Sequence, residues 1–582
     1  MSFERAVNDL WHKKGQPLAI AWIFSGLWLL LIGSTAFLWN LGTTGLIDET
    51  EPLFAEAARQ MTVTGDWITP YFNGETRFDK PALIYWLMAI AYKIVGVNSL
   101  GARLPSALSV FALTGLIFYT LNFYGGSPQD RRRHYWLCAG LGSAFFALNP
   151  EIVIWSRIGA SDALLTACIG GALLSFFQGY AQPEKPAIQT RWYLAFYVLV
   201  ALAVLTKGPV GLVLPVLIIG AFLLYLGNFR AVWREMRPLW GSLLVVAIAL
   251  PWYVLVTMRN GWSFINSFLG YHNIERFTSV VNHHSAPWYF YFLVVLVGFC
   301  PWSIYLPVAI ARLKFWQRSH WSSVARSHQL GLFALFWFAG VFGFFTIAVT
   351  KLPSYMLPLM PAAAILVAMM WSEQVTLGKK KNSFLVGSGW FNVLFLSILA
   401  GALAYSPHFI GFDPAMVNPR QLIEQSGLPI IGCIVWAITA LAIAVLLWQK
   451  QWLGIPAANL VGFFAFLLFV LMPAGLLIDQ ARQLPLRQLS AIVTRFEQPG
   501  ESLVMMGFKK PTVVFYTQRR VKYIMFPRDV RYGIKSVGDA PSVLILAQPS
   551  KIDLLGLAAG QYQELGRAGT YELIRVERRL LS

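Results

Sequence analysis

Leu18–Leu38 reads LAIAWIFSGLWLLLIGSTAFL, and soon after it comes Asp48-Glu49-Thr50-Glu51, opening a stretch that runs to Asp79-Lys80-Pro81. The first run is long and apolar enough to cross a bilayer as a helix, which takes about 20 such residues. The second carries Asp48, Glu49, Glu51, Glu56, Arg59, Asp66, Glu75, Arg77, Asp79 and Lys80, in a chain that is only 13% charged. Charge beside lipid is costly and marks function. Together the two predict a polytopic membrane protein whose working residues begin on the loop after its first span.

The rest of the chain repeats the first run. It is 57% hydrophobic and 15% aromatic, with a mean hydropathy of +0.57. That composition excludes a soluble globular protein of this size. Apolar segments predict about thirteen spans, at 18–38, 103–123, 135–150, 160–178, 192–206, 208–226, 239–257, 288–311, 329–350, 352–372, 384–404, 429–448 and 453–475. Lys13-Lys14 precede the first run and no small-residue cleavage site follows it, so it reads as a retained span rather than a signal peptide. Pro81–Val97 is apolar but reads as an amphipathic helix at the interface. Counting it as a span would invert every later loop.

The net charge of +19 sits largely in short loops. Lys13-Lys14, Arg131-Arg132-Arg133, Arg230/Arg234/Arg237, Arg312/Lys314/Arg318 and Lys379–Lys381 all fall on one side of that span map, which makes it the cytoplasmic side and leaves no role for nucleic acid. The segment 39–102 and the loops near 151–160, 258–287 and 405–428 then lie outside. So does everything after the last span. Cys138, Cys168, Cys300 and Cys433 lie far apart in apolar runs and read as buried small hydrophobes, not as disulfides or a zinc site.

From about 479 the pattern changes. Helix-like Leu486–Phe496 is followed by β-rich runs at Ser502–Met506, Thr512–Tyr516, Val521–Met525, Ser542–Ala547 and Tyr571–Val576, punctuated by Gly and Pro. The expected organisation is an all-α membrane domain over 1–478 and a small, basic α/β domain over 479–582, outside the membrane.

Charged and polar residues recur where spans meet the outer face. Besides the first loop these are Arg157 and Asp162, Lys207 in Thr206-Lys207-Gly208-Pro209, His272 to Phe277 with His283-His284, and Lys351-Leu352-Pro353-Ser354-Tyr355. Carboxylates with separate cations at one membrane face suit phosphate-linked chemistry. Cations hold an anionic leaving group, Arg bidentately and Lys as a point charge. A carboxylate takes a proton or holds a divalent ion. Each residue also has a plainer reading. Lys351, Arg157 and Lys207 could snorkel at a span end. Asp48 and Asp162 could cap helices. Glu56 and Arg59, spaced i,i+3, suit a surface pair. Asp66 in Gly65-Asp66-Trp67 suits a turn.

Taken in order, these elements make the chain similar to the GT-C superfamily of membrane glycosyltransferases, within it the lipid A aminoarabinose transferase and protein O-mannosyltransferase-like group. The elements are Asp48-Glu49-Thr50-Glu51, Phe54-Ala55-Glu56, Gly65-Asp66-Trp67 to Pro70, Asp79-Lys80-Pro81 with Tyr85-Trp86, Arg103–Ser106, Thr206–Pro209, His272 with Arg276-Phe277, and Lys351-Leu352-Pro353 with Tyr355 and Pro358. The resemblance implies a polyprenyl-phosphate-sugar donor, an inverting transfer to a lipid, glycan or protein acceptor, and a site on the outer face of the bacterial inner membrane. By it, Lys80, Lys207, Arg276 and Tyr355 bind the donor phosphate. Asp48, Glu49, Glu51 and Asp162 are the catalytic acids, and Asp79 with Asp162 are the candidates for a divalent metal ion. The chain departs from the pattern in having two extra residues between Asp48 and Phe54, so the key acid is either Asp48 or Glu51. It also has Phe54 where Tyr is frequent, Asp79 where Glu is common and Ala82 where a second Pro is common. The competing functions are a transporter or flippase of lipid-linked sugars and a non-catalytic assembly subunit. No internal repeat supports the first.

Overall fold

The computed structural model describes residues 18–126, 132–275, 278–279, 285–377, 383–526, 540–558 and 560–581. Lys13-Lys14, Arg131, Arg276-Phe277, His283-His284 and Lys379–Lys381 lie outside the described residues.

Among the described residues, 10 helices are long and apolar enough to span a bilayer, or up to 12 if each of two bent pairs counts as one span. The expected segment 208–226 forms the 17-residue helix Val210–Leu226, which falls short of that length. Each expected span thus has a helix, but not each is a full crossing. One bent pair, Tyr135–Ala147 with Pro150–Ser156, turns through 62°. Asn149-Pro150 causes the break: Pro150 opens the new helix and Asn149 caps it, accepting from the Ile152 N–H at 3.0 Å. The other pair, Phe290–Gly298 with Trp302–Ala311, turns through 112° at Cys300-Pro301.

Large apolar side chains stand exposed along several helices, for example Leu239, Trp240 and Leu243, and Ile434, Ile438 and Leu441. Such a surface is lipid-facing. Inside, the helices Ser161–Tyr180 and Pro353–Val375 are 94% buried and form the centre of the bundle.

Pro81–Val97 forms the helix Leu83–Val95, whose 13 residues rise only ~20 Å, well short of the ~30 Å hydrocarbon thickness. It follows helix Thr50–Thr64 and a hairpin of strands β1 (Tyr71–Phe72) and β2 (Glu75–Thr76). Asn73-Gly74 makes the hairpin turn, with φ of 54° and 85° as a two-residue turn of this kind requires.

The C-terminal sheet contains β3 (Ser502–Met506), β4 (Val521–Ile524), β5 (Ser542–Ala547), β6 (Tyr562–Ala568) and β7 (Tyr571–Glu577), in the order β4-β3-β5-β7-β6. β3 pairs parallel with β4 and β5, and the β5-β7 and β7-β6 pairs are antiparallel. Two details differ from the sequence expectation. Thr512–Tyr516 lies in the helix Pro511–Thr517, because Pro511 starts a helical turn and the β-branched run that follows is buried against other helices. Tyr562–Ala568, half-exposed and polar, is an edge strand the alternation did not reveal. The boundary expected at 478/479 falls inside one helical run, Gly454–Phe496, of 43 residues. This run contains two π-helical segments, Leu467–Leu471 and Asp479–Gln483, each just before a proline, Pro473 and Pro485. Wider turns of this kind absorb the backbone bond that proline lacks.

Candidate functional site

Five chain segments converge at one end of the bundle. Lys207 ends helix Pro186–Lys207, where Gly208 turns out at φ 85°. Asp162 sits in the first turn of Ser161–Tyr180. Tyr355 and Ser354 lie in the 3-10 turn Pro353–Leu359. His272 comes from the π-helical segment Asn266–Glu275. Asp79 and Lys80 arrive on the loop before Leu83–Val95. Together they line a cavity of about 480 Å³ whose remaining walls are largely apolar, including Leu165, Val210, Val213, Leu269, Phe344 and Phe345.

The polar groups interlock. Lys207 Nζ donates to Asp162 Oδ1 at 2.6 Å and stands 5.1 Å from the centre of the Tyr355 ring. Tyr355 in turn stacks on Phe345, with ring centres 4.7 Å apart. Lys80 Nζ donates to the Asp79 carbonyl at 2.8 Å and lies 4.0 Å from the Asp79 carboxylate. That carboxylate also pairs with Arg77 and accepts from the Tyr85 hydroxyl at 3.0 Å. Burial alone would raise the Asp79 carboxyl, but Arg77, Lys80 and His272 around it, with the Tyr85 bond, hold it below its ordinary value. Arg77 also lies over the Phe54 ring at 5.3 Å. A site with cations at one end of an apolar trough fits an amphiphile with an anionic head.

Of the residues singled out from sequence, Lys80, Lys207, Tyr355, Asp79 and Asp162 meet in this cavity, and Arg276 lies outside the described residues, four positions after His272. His272 and Ser354 also line it. Neither was given a site role from the sequence, although each lies within a motif that was named there.

Asp48, Glu49 and Glu51 are not among the cavity's lining residues. Glu51 is fully buried, and its carboxylate accepts from Arg103 Nε at 2.7 Å and Nη2 at 2.8 Å and from the N–H groups of Ile47 and Gly159, each at 2.7 Å. Asp48 accepts from the N–H of Thr512 at 3.0 Å, so it caps helix Pro511–Thr517 of the C-terminal domain. Glu49 pairs with Lys510 at 3.3 Å. The physical reason is that the chain turns back at the start of helix Thr50–Thr64 and faces the C-terminal domain there. Burial pushes the Asp48 carboxyl up to about 6, with the Thr512 bond opposing it.

A divalent ion does not fit Asp79 and Asp162. Each carboxylate already faces a cation, Arg77 or Lys207, and no group of three His, Cys, Asp or Glu side chains able to hold a metal occurs among the described residues.

Of two plainer expectations, the Asp66 turn stands and the pair of Glu56 and Arg59 forms in the interior instead of on the surface. Glu56 and Arg59 pair at 2.7 Å, though buried, and Asp66 closes a turn by accepting from Ile68 N–H at 3.0 Å and Thr69 N–H at 3.2 Å. Lys351 caps the preceding helix through the Thr346 and Ala348 carbonyls and does not line the cavity.

Family matches over two parts of the chain make it a membrane glycosyltransferase. Residues 79–255 match the dolichyl-phosphate-mannose-protein mannosyltransferase family, and residues 496–582 match the C-terminal domain of cyanobacterial RgtA-type glycosyltransferases. An uncharacterised protein of Aquifex aeolicus is 31% identical over 63% of this chain and 75% of its own length. The undecaprenyl phosphate-alpha-4-amino-4-deoxy-L-arabinose arabinosyl transferase of Aeromonas salmonicida is 30% identical over 61% of this chain, and the match spans 62% of that transferase. The crystal structure of ArnT from Cupriavidus metallidurans bound to undecaprenyl phosphate shares the fold, with a TM-score of 0.74 at 20% identity over 96% of this chain and 98% of that one. With these signatures and this fold the chain resembles the GT-C superfamily of membrane glycosyltransferases.

Proposed function

We propose that this protein moves a sugar from a polyprenyl-phosphate carrier to an envelope acceptor (lipid, glycan or protein) on the outer face of the bacterial inner membrane. The observation that carries this reading is the convergence of Lys80, Lys207 and Tyr355 on one end of an otherwise largely apolar cavity. Lys80 and Lys207 hold the phosphate, joined by Arg276. The apolar walls take the first isoprene units. Asp162 holds the Lys207 ammonium in place at 2.6 Å, and Tyr355 covers its other side.

In the transfer, an acceptor oxygen attacks the anomeric carbon opposite the phosphate, so the configuration inverts. The bond from that carbon to the phosphate oxygen breaks, and polyprenyl phosphate leaves with the electron pair, its charge met by the two lysines. The proton of a neutral acceptor passes to a carboxylate at the site, Asp162 or Asp79; an acceptor that is already anionic needs none. We assign Asp48 and Glu49 to holding the outer loop against the C-terminal domain, and Glu51 to anchoring that loop on Arg103, rather than to this proton. The outward orientation is supported by Arg230, Arg234, Arg237, Arg312 and Arg318, which follow helix ends opposite the cavity.

The test is transfer from a radiolabelled polyprenyl-phosphate sugar by purified protein in nanodiscs, using total envelope lipid and protein as acceptor. Label should move in the wild type, and Lys80→Ala and Lys207→Ala should abolish it without loss of folded protein. Label that merely crosses a sealed vesicle unchanged would replace the enzyme with a flippase.

A further inference from the structure

A second cavity, of about 360 Å³, lies where the first outer loop meets the C-terminal domain and shares no lining residue with the first. Its walls mix polar and apolar surface, unlike the largely apolar first cavity. Gln60 comes from helix Thr50–Thr64, Tyr71 from the hairpin, and Gln518, Arg519 and Arg520 from the segment before β4.

The cavity is held open by specific contacts. Asn73 at the hairpin tip bonds the backbone of Val521 both ways, its amide donating to the carbonyl at 2.9 Å and its oxygen accepting from the N–H at 2.8 Å. Phe72 packs into the core of the C-terminal domain. Arg520 lies directly on Gly74: a methyl group there would stand 2.5 Å from its Nε, so a side chain at 74 would push the guanidinium aside.

The charges in this cavity do not cancel. Glu56 is held by Arg59 at 2.7 Å and by Gln60 at 2.8 Å, and Arg519 pairs with Glu497. Arg520 has no ion pair among the described residues. What remains is one uncompensated guanidinium beside two carboxamides and a phenol ring. Amides and a ring face are the groups that bind sugar hydroxyls and the flat side of a pyranose, and the arginine adds a fork for phosphate or carboxylate.

The two cavities are close along the chain. Asp79 follows Gly74 by five positions, a reach of at most ~18 Å. A molecule of a few sugar units seated in the second cavity could therefore present its far end to the donor.

We propose that this cavity is an anchoring subsite for an anionic carbohydrate, the phosphorylated or carboxylated glycan portion of the acceptor. The assignment rests on the glycosyltransferase reading above but is separable from it. The source of the glycan is either a membrane glycolipid or a free phosphosugar.

Saturation-transfer NMR on the full-length protein in nanodiscs tests this, with glucose 1-phosphate and uncharged glucose as probes. The wild type should saturate glucose 1-phosphate well above glucose. Arg520→Gln should weaken the response roughly ten-fold, the loss of one charge-assisted bond, and Arg520→Lys should restore part of it. Lys80→Ala should leave it intact. A response that survives Arg520→Gln, or that disappears in Lys80→Ala, overturns the assignment, because the probe would then be elsewhere or in the donor cavity. In the transfer assay Arg520→Gln should raise the acceptor KM; an unchanged acceptor KM overturns the subsite while leaving the enzyme reading standing. Phosphosugar binding through Arg520 in a protein that transfers nothing would sink the enzyme reading and keep the site. Repeating the titration with a phosphorylated glycolipid in the nanodisc identifies the source: tighter binding than the free probe marks a lipid-borne acceptor, equal binding a soluble one.

Discussion

Glu51→Gln separates structure from chemistry in the acidic motif. The Glu51 carboxylate takes four hydrogen bonds, two from Arg103 and one each from the Ile47 and Gly159 N–H groups. A glutamine offers one oxygen and turns an NH₂ toward groups that are themselves donors, so at least one backbone or guanidinium donor is left unpaired. It also strips the buried Arg103 of its counter-charge. Breaking a buried pair from one side costs about 3–5 kcal/mol, a large part of the 5–15 kcal/mol that typically separates folded from unfolded protein. The assay uses the chain's own reporters: Cys168 and Cys300 are free and buried, and a thiol-reactive dye reads their exposure on heating. Glu51→Gln should melt several degrees lower than the wild type, and Glu51→Gln/Arg103→Met should recover part of that loss, because the two changes touch one interaction. A Glu51→Gln protein with wild-type melting but no transfer would refute the structural assignment and make Glu51 the catalytic acid.

Other outcomes follow from the same contacts. Asp162→Asn should lower transfer at least ten-fold and raise donor KM, because Lys207 loses the partner that fixes it; kinetics with varied donor checks this. Tyr355→Phe should retain most activity, since the ring over Lys207 survives, whereas Tyr355→Ala should lose donor affinity in the same titration. Asp48 has a carboxyl raised to about 6 from the usual 3.8, so the folded protein holds a proton that the unfolded chain has already released between those values. Stability should therefore fall as pH rises through that window and level off above it. Asp48→Asn keeps an acceptor for Thr512 and should remove this pH dependence in melting curves from pH 4.5 to 7.5. A wild-type slope of the opposite sign would overturn the burial of that carboxyl.

Much of this was legible in the residues. Runs of about 20 apolar side chains locate helices because nothing else satisfies a backbone in lipid. Lys207, Asp162 and Tyr355 could be grouped because each sits where a span ends on one face, and Asp79 and Lys80 because they lie on the loop that the same span map puts on that face. What stayed hidden was the direction in which each polar side chain points. Asp48 and Glu51 carry the same charge as Asp162 and follow a span on the same face, yet one caps a distant helix and the other neutralises Arg103. That choice depends on Thr512 and Arg103, remote in sequence. The run Thr512–Tyr516 misled for a similar reason: its β-branched residues suit a strand, but Pro511 and burial against neighbouring helices decided otherwise.

The helical run Gly454–Phe496 works as a keyed shaft. At 43 residues it is ~65 Å long, more than twice the hydrocarbon thickness. Inserting one residue near its middle would rotate everything beyond by about 100° and lift it 1.5 Å. Inserting seven, two turns, would nearly restore the azimuth but raise the C-terminal domain ~10 Å. Neither lets Thr512 meet Asp48 or Val521 meet Asn73 again. The number of residues in this run is therefore a fixed dimension of the molecule, even though the lipid-facing side chains along it are free to vary.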